Sequence, residues 1–274
     1  MSKLQLSFHT TFAFRKAEVA RLLSLAARPT GLPASTADLV METGFGTKKV
    51  GPIKSWATRA GLIEGNLLTE EGRIIFEADP LLRSKTSEWL MHFNLSFGSK
   101  GFASPPTHAD DWGGWPYFIF DFLPSHQEFT LETLVRAAET VFEDSNKLLK
   151  GNFSYLLRAY TDLDGLSGCG VLAITPQGTY KVGTRELPRT PLVAYLLSKL
   201  WARDFGETSS VLTIAVREHH MGLAPLLCVS RVELDEVLER LSGEGYIEQR
   251  RTVAPYQIVR RWAESAELLK RAFQ

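Results

Sequence analysis

Residues 45–76 read FGTKKVGPIKSWATRAGLIEGNLLTEEGRIIF, and this stretch decides the fold of the first part of the chain. Apolar residues recur in it at helical spacing, which predicts a helix whose apolar face consists of Val50, Ile53, Trp56, Ala57 and Ala60. Gly61 is predicted to end this helix, because glycine adopts the left-handed cap conformation without a steric penalty.

A short hairpin and a further helix follow. Leu62-Ile63 and Leu67-Leu68 predict two strands, and residues 64–66 (Glu-Gly-Asn) predict the turn between them. Thr69 is expected to cap a helix over residues 70–76, whose first turn carries two acids. A basic helix, a hairpin and a closing helix are typical of the second half of a winged helix-turn-helix.

Two helices are predicted upstream. The first spans residues 16–28 and buries an apolar stripe made of Val19, Leu22, Leu23 and Ala26. The proline- and glycine-rich residues 29–33 end it, and a short helix then runs from a cap at Ser35 or Thr36 to Glu42. Three helices and a wing form the winged-helix order, so we assign residues 1–83 to an N-terminal winged helix-turn-helix.

The polar side of the predicted third helix is cationic. From residue 48 to residue 59 the sequence holds four cations and no acid. This pattern predicts that the helix binds DNA in the major groove, with candidate contacts at Thr47, Lys48, Lys49, Lys54, Ser55, Arg59, Asn66 and Arg73. The alternative is a small helical domain whose lysines are only a solvated face.

Composition limits the classes of function. The 274 residues have a formal net charge of zero, so a nucleic-acid surface has to come from local segregation of charge. The 44% hydrophobic and 23% charged residues are ordinary for a globular protein. Two cysteines are too few for a disulfide scaffold and are typical of a reducing compartment. With no signal-peptide pattern or membrane-length apolar run, we expect a cytoplasmic protein.

Residues 84–185 are predicted to form a mostly helical, aromatic-rich middle domain. Residues 97–114 are rich in Gly, Ser and Pro and predict a long loop or partly mobile insertion. The aromatic run WPYFIFDF at 115–122 predicts a buried helix or strand rather than a base-stacking platform, because no lysine or arginine lies between Lys100 and Arg136. Helices are expected after Thr130 and over residues 146–160, and a hairpin over residues 171–182.

Residues 186–274 are predicted to form a second winged-helix-like domain. The pattern of helix, glycine, apolar residue, isoleucine and glutamate at Gly61–Glu64 recurs at Gly245–Glu248. The candidate recognition helix that starts after Ser230 carries four acids against two arginines. An acidic helix reads DNA poorly, because cations supply most nonspecific affinity. We therefore expect this domain to bind protein, with Arg250 and Arg251 as secondary contacts to a DNA backbone.

Nothing in the sequence indicates catalysis. His219, His220 and Cys228 are the candidate metal ligands. Adjacent histidines point in different directions, however, and no second pair of Cys or His residues has the spacing of a tetrahedral zinc site. There is no P-loop and no G-x-S-x-G elbow. We expect a non-enzyme without catalytic residues, metal or cofactor.

The chain resembles a prokaryotic domain-of-unknown-function family that is often encoded beside DNA phosphorothioation and phosphoadenosine-phosphosulfate-reductase-like genes in phage-defence islands. The resemblance covers residues 7–160 and depends on the order of five segments, which are SFHTTFAFR, GLI…LTEEGRIIFEADP, TSEWLMHFNLS, WPYFIFDF followed by FTLETL, and SNKLLKGNFSYLLRAY. Loop 97–114 is longer than the family pattern. The family brings no established catalytic residues.

The sequence therefore predicts a mainly α fold with short β-hairpins as wings: an N-terminal winged helix-turn-helix, a helical middle and a C-terminal winged helix. The basic helix predicts a DNA-binding protein with double-stranded DNA as partner, and the resemblance implies that it serves a DNA sulfur-modification or phage-defence system. The C-terminal domain is expected to bind a defence enzyme or a second copy of this chain. Repression of its own operon is a close variant. The alternatives are a protein-only structural adaptor and a metal-dependent nuclease.

Overall fold

The computed structural model describes residues 1–183 and 186–274. The fold is mainly α, with one two-stranded and two three-stranded antiparallel sheets among the described residues. Across these two ranges, no helix combines the length and the apolar character needed to cross a membrane.

The N-terminal part contains the predicted order of elements. A 3₁₀ turn at Ser7–His9 precedes helices α1 (Lys16–Ala26), α2 (Thr36–Thr43) and α3 (Thr47–Arg59), strands β1 (Ile63–Glu64) and β2 (Leu67–Leu68), and helix α4 (Glu70–Ala78). The strands pair antiparallel, with Ile63 opposite Leu68. Thr69 caps α4 by accepting a hydrogen bond from the Gly72 amide at 2.8 Å.

Close packing between the wing and α4 depends on Gly72. A Cβ atom at this position would run into the backbone carbonyl oxygen of Leu62. We expect Gly72→Ala to lower the free energy of unfolding by about 2 kcal/mol, because a rigid backbone leaves no room for the methyl group. Gly151→Ala is the matched control in an open part of a helix, where alanine should add about 0.5–1 kcal/mol. Chemical denaturation measures both; equal stability of Gly72→Ala and the wild type would refute this account.

The middle part is an aromatic core enclosed by helices. Helix α5 (Lys85–Ser96) leads to 3₁₀ turns at Gly98–Lys100 and Ala109–Trp112, and then to a helical segment made of α6 (Gly114–Pro116), a π-helical turn (Tyr117–Phe122) and α7 (Leu123–Ser125). Strand β3 (Glu128–Phe129), helices α8 (Leu131–Ala138) and α9 (Asn146–Thr161), and strands β4 (Leu172–Ile174) and β5 (Tyr180–Val182) follow in chain order. The strands form a sheet of order β3-β5-β4.

The aromatic run and the loop before it are packed against each other. Every residue of the run except Asp121 is buried. Segment 97–114 is a loop with two 3₁₀ turns, in keeping with one of the two predicted alternatives, and it is anchored by Phe97 and Trp112, which are buried with ring centroids 6.3 Å apart. Phe102 also packs on Phe97, with ring centroids 5.9 Å apart. Aromatic burial outweighs the turn-forming composition of this segment.

The C-terminal part repeats the order of helices followed by a hairpin. Its elements are helix α10 (Thr190–Phe205), strand β6 (Ser210–Leu212), helices α11 (Thr213–Arg217), α12 (Leu223–Leu226) and α13 (Arg231–Gly243), strands β7 (Ile247–Arg250) and β8 (Gln257–Arg260), and helix α14 (Ser265–Ala272). The sheet order is β6-β8-β7, so the strand before α11 joins the hairpin. Sequence patterns predicted the hairpin and did not predict β6.

One hydrophobic cluster runs through all three parts. Glu71 of α4 links all three parts, because it pairs with Lys199 of the C-terminal part at 3.0 Å and accepts a hydrogen bond from Asn94 of the middle part at 3.1 Å. The domain boundaries at 83/84 and 185/186 stay predictions, and residues 184 and 185, at the second boundary, lie outside the described residues.

Candidate nucleic-acid interface

Helix α3 has one buried and one solvent-facing side. Val50, Ile53, Trp56 and Ala57 are buried. Positions 48, 51, 55 and 58, which recur every three or four residues, face outward; of these, Lys48, Gly51 and Thr58 are exposed, and Ser55 is half-buried. The outward face is narrow and made mostly of small residues.

The N-terminus of α3 is open to an anion. Gly46 is the N-cap, no side chain caps the helix, and no acid lies in its first turn. Thr47 and Lys48 are exposed there, and Lys48 has no hydrogen-bond or ion-pair partner in residues 1–183 and 186–274. Free backbone amides and the helix dipole favour negative charge at such an end. Thr47 and Lys48 are the predicted contacts that the structure leaves most available.

Lys49 and Lys54 are held by neighbouring side chains. Lys49 forms an ion pair with Glu18 of α1, and its ammonium lies 5.7 Å from the Phe45 ring centroid. Lys54 donates a hydrogen bond to the Asn66 side chain at 2.7 Å. The Asn66 carbonyl in turn accepts from the Leu32 amide at 2.8 Å, which ties the wing to the segment before α2. Lys54 and Asn66 therefore act as one unit between helix and wing.

Arg59 lies at the end of the outward face. Its guanidinium stacks 4.2 Å from the ring centroid of Phe8, and burial lowers its pKa from the usual value. Within the described part of the chain, it has no hydrogen-bond or ion-pair partner. Arg73 is exposed on α4. The predicted residues thus line α3, the wing and α4, but only part of the predicted positive charge is free.

The arginines of the C-terminal hairpin are paired with acids. Arg250 binds Glu248 at 2.9 Å, and Arg251 binds Glu239 of α13. Arg261 shares Glu248 with Arg250. Because these pairs neutralise the hairpin, Arg250 and Arg251 present less free charge to DNA than the sequence suggests.

His219, His220 and Cys228 line one cavity of about 660 Å³. The histidine rings are parallel, with centroids 5.8 Å apart. His219 contacts the Asp204 carboxylate through Nε2 at 3.5 Å and accepts a hydrogen bond from the Met221 amide through Nδ1 at 3.2 Å, so both of its nitrogens are engaged. In the two described ranges, no group of three or more His, Cys, Asp or Glu side chains is arranged to hold a metal ion.

The partners of the α3 cations come from distant parts of the sequence. Glu18 and Phe8 lie more than thirty residues before the cations that they contact. Local sequence patterns do not predict these contacts, because they form only when α1 and the Ser7–His9 turn pack on α3. The residues that decide which cations stay free were therefore missed.

The fold is shared with a known protein. No protein-family model and no curated protein matches the chain. Two solved structures of SspB, one of them bound to magnesium ion, are similar to it. Each match has 17% sequence identity and a TM-score of 0.72, and covers 99% of this chain and 87% of the SspB chain. At this identity the similarity shows a common fold across almost the whole chain.

Proposed function

We propose that this protein is a non-catalytic DNA-binding protein of a DNA sulfur-modification or phage-defence system. The observation that carries the proposal is the N-terminal half of α3, where exposed Thr47 and Lys48 stand at an uncapped helix end without acids. A helix end of this kind suits a phosphate of the DNA backbone. Gly46 and Gly51 leave the adjacent surface open, so a duplex can approach closely.

The order of elements supports a winged-helix interpretation of both ends of the chain. Helices α1, α2 and α3 with the β1-β2 hairpin give one copy, and α10, β6, α11–α13 and the β7-β8 hairpin give the other. In such folds the third helix enters the major groove. This interpretation makes α3 the recognition helix, with the Lys54–Asn66 unit at the wing.

The two copies differ in the charge of their candidate recognition helices, α3 and α13. Helix α3 contains four cations and no acid, whereas α13 contains four acids and two arginines. Cations supply the phosphate-neutralising part of DNA affinity, so the N-terminal copy is the DNA-binding one. The C-terminal copy binds a protein, either a defence enzyme or a second copy of this chain. Repression of the protein's own operon uses the same contacts.

The system to which the protein belongs is inferred from the sequence. The five ordered segments over residues 7–160 resemble the family encoded beside DNA phosphorothioation genes. The similarity to SspB supports the fold of this chain. The phage-defence role therefore depends on the resemblance, and the DNA-binding role depends on α3.

Reversal of charge on the outward face of α3 should abolish most DNA binding. We expect Lys48→Ala/Ser55→Glu to bind a labelled duplex at least about 10-fold more weakly, because a cation is lost and a carboxylate added beside phosphates. Fluorescence anisotropy at two salt concentrations, with plain and phosphorothioate duplexes, gives affinity, salt dependence and sulfur preference. Arg136→Ala, which removes one exposed cation on α8, controls for the loss of a positive charge elsewhere on the surface. Equal affinity of all three proteins would refute the α3 interface.

Two other functions predict different results, one in the binding experiment and one in a cleavage assay. A protein-only adaptor would form no salt-sensitive complex with either duplex. A metal-dependent nuclease is the second candidate, because one similar SspB structure has bound magnesium ion. Incubation of supercoiled plasmid with Mg²⁺ or with chelator tests it, and Mg²⁺-dependent nicking would replace the non-catalytic proposal.

A further inference from the structure

Three rings connect α3 to α9. The His9 ring lies 5.5 Å from Phe8 and 4.7 Å from Tyr155 of α9, measured between centroids. Phe8 itself packs edge-on against Trp56 of α3 at 4.8 Å. His9 is held in place because its Nδ1 lies 3.1 Å from the Thr10 carbonyl oxygen. The row Phe8, His9 and Tyr155 therefore links α3 to α9; Phe8 and Tyr155 are half-buried, whereas His9 is buried.

An arginine lies over the ring at each end of this row. The guanidinium of Arg59 lies 4.2 Å from the centroid of Phe8, and that of Arg158 lies 5.8 Å from the centroid of Tyr155. Hydrogen-bond donors of a guanidinium lie in its plane, so a ring that covers one face leaves them accessible. Stacking also fixes the orientation of the group, which lowers the entropy lost when it binds a phosphate.

Both arginines have guanidinium N–H groups that can still bind a ligand. Among the described residues, Arg59 is half-buried and has neither a hydrogen bond nor an ion pair. None of the Arg59 nitrogens is among the buried unpaired atoms of the described residues, so solvent reaches its five donors and a phosphate can replace that water. Arg158 pairs with Asp162 at 3.0 Å, and both side chains are exposed, so a phosphate can replace this weak partner.

The same strip carries hydroxyl groups. Ser7, Thr10 and Thr11 are exposed beside the ring row. Serine and threonine hydroxyls commonly bind phosphate oxygens at DNA interfaces. The charge of the strip comes from the arginines, because burial lowers the pKa of His9 to about 4 and keeps its ring neutral at pH 7.

We propose that Arg59 and Arg158, which lie over the rings of Phe8 and Tyr155, form a clamp for the phosphate backbone of the duplex that α3 binds. The inference rests on the proposed DNA-binding function and extends its contact surface from α3 to α9. The Phe8 and Tyr155 rings each lie within 5.5 Å of the His9 ring, so the row is short and the clamp adds its contacts beside the C-terminal end of α3.

The test compares variants of the full chain on a 20-base-pair duplex. Arg158→Gln should weaken binding about 3- to 10-fold and lower the slope of log affinity against log salt by about 0.9, the value for one phosphate contact. Arg136→Gln makes the same change at an exposed position of α8, and it should change both the affinity and the salt slope less than Arg158→Gln does. Thermal denaturation confirms that each variant is folded.

A second pair of variants tests the stacking. Tyr155→Leu removes the ring beneath Arg158 and should weaken binding, whereas Tyr155→Phe keeps the ring and should restore wild-type affinity. A purely structural role of the tyrosine would change stability without changing the salt slope.

The outcomes separate the clamp from the DNA-binding function. If the wild type binds, Lys48→Ala/Ser55→Glu weakens binding and Arg158→Gln behaves like Arg136→Gln, the clamp is refuted and the α3 interface stands. If the wild type binds no duplex, both proposals are refuted.

Discussion

The Lys16→Met variant should lose about 3–5 kcal/mol of the free energy of unfolding at pH 7, because it leaves a buried carboxylate without its counter-charge. Lys16, the first residue of α1, pairs with Glu88 of α5, and their side chains are only 11% and 4% exposed. The pair joins the N-terminal part to the middle part. The backbone at Gly168 and Cys169 also lowers the pKa of Glu88, but it carries no net charge, and the second carboxylate oxygen, Oε2, has no hydrogen-bond partner among the described residues.

The pH dependence of this loss has a definite sign. Burial raises the pKa of Glu88, and the bonds to Lys16 oppose the increase only in part. A carboxyl group whose folded-state pKa lies above its unfolded value stabilises the fold at low pH and loses that contribution as pH rises through the folded-state pKa. Without Lys16 that pKa rises further. The difference in the free energy of unfolding between the wild type and Lys16→Met should therefore be smaller when urea denaturation is repeated at pH 5.

Two controls isolate the counter-charge. Lys16→Met/Glu88→Gln removes both charges while it conserves shape, and it should recover much of the lost stability. Lys85→Met breaks the exposed pair with Glu186, whose side chains are 61% and 79% exposed, and should leave the unfolding free energy unchanged within error. If the double variant were as unstable as Lys16→Met, lost packing rather than unpaired charge would be the cause.

The order of elements in the N-terminal part could be predicted because it depends on local signals in the sequence. The 3–4 spacing of Val50, Ile53 and Trp56 is a property of one helix, and Thr69 caps the helix that follows it directly. Turn chemistry at residues 64–66 fixes the hairpin, where Gly65 has a φ of 60°. Each of these features depends on neighbours within a few positions, so periodicity and capping rules suffice.

The missed features depend on distant partners. Strands β3 and β6 are two and three residues long, and each pairs with a strand about fifty positions later. Segment 97–114 is a loop as its composition predicts, but the burial of Phe97 and Trp112 within it was not predicted. The free charge of α3 likewise depends on Glu18 and Phe8. Local patterns predict the helix that carries the candidate site but not which of its cations are free.

Acidification should destabilise the protein through His92, a buried histidine of α5. Its Nε2 lies 2.9 Å from the Leu226 carbonyl and its Nδ1 lies 2.7 Å from the Tyr160 hydroxyl. A carbonyl only accepts, so Nε2 carries the proton and Nδ1 accepts from Tyr160. That hydroxyl oxygen also accepts from the indole of Trp115 at 3.0 Å. The network is satisfied only when the imidazole is neutral.

The pKa of His92 sets the pH range of this effect. Burial lowers the pKa to about 4 from its ordinary value of 6.5. A histidine with a lowered folded-state pKa contributes stability above the unfolded value, and the contribution is lost as pH falls from 6.5 towards 4. A difference of this size corresponds to about 3 kcal/mol at most, at 1.36 kcal/mol per pH unit. His9, whose pKa burial also lowers to about 4, acts in the same direction.

His92→Gln separates this group from the other acid-sensitive ones. Glutamine keeps one donor and one acceptor but does not titrate, so the variant should be less stable than the wild type at pH 7 by about 1–3 kcal/mol. Its stability should then fall less steeply between pH 7 and pH 4, and the two unfolding curves should converge. His108→Gln, at an exposed histidine, is the control for the substitution itself and should be as stable as the wild type at pH 7. Parallel curves for His92→Gln and the wild type would mean that His92 takes up no proton on unfolding, and the neutral network would be refuted.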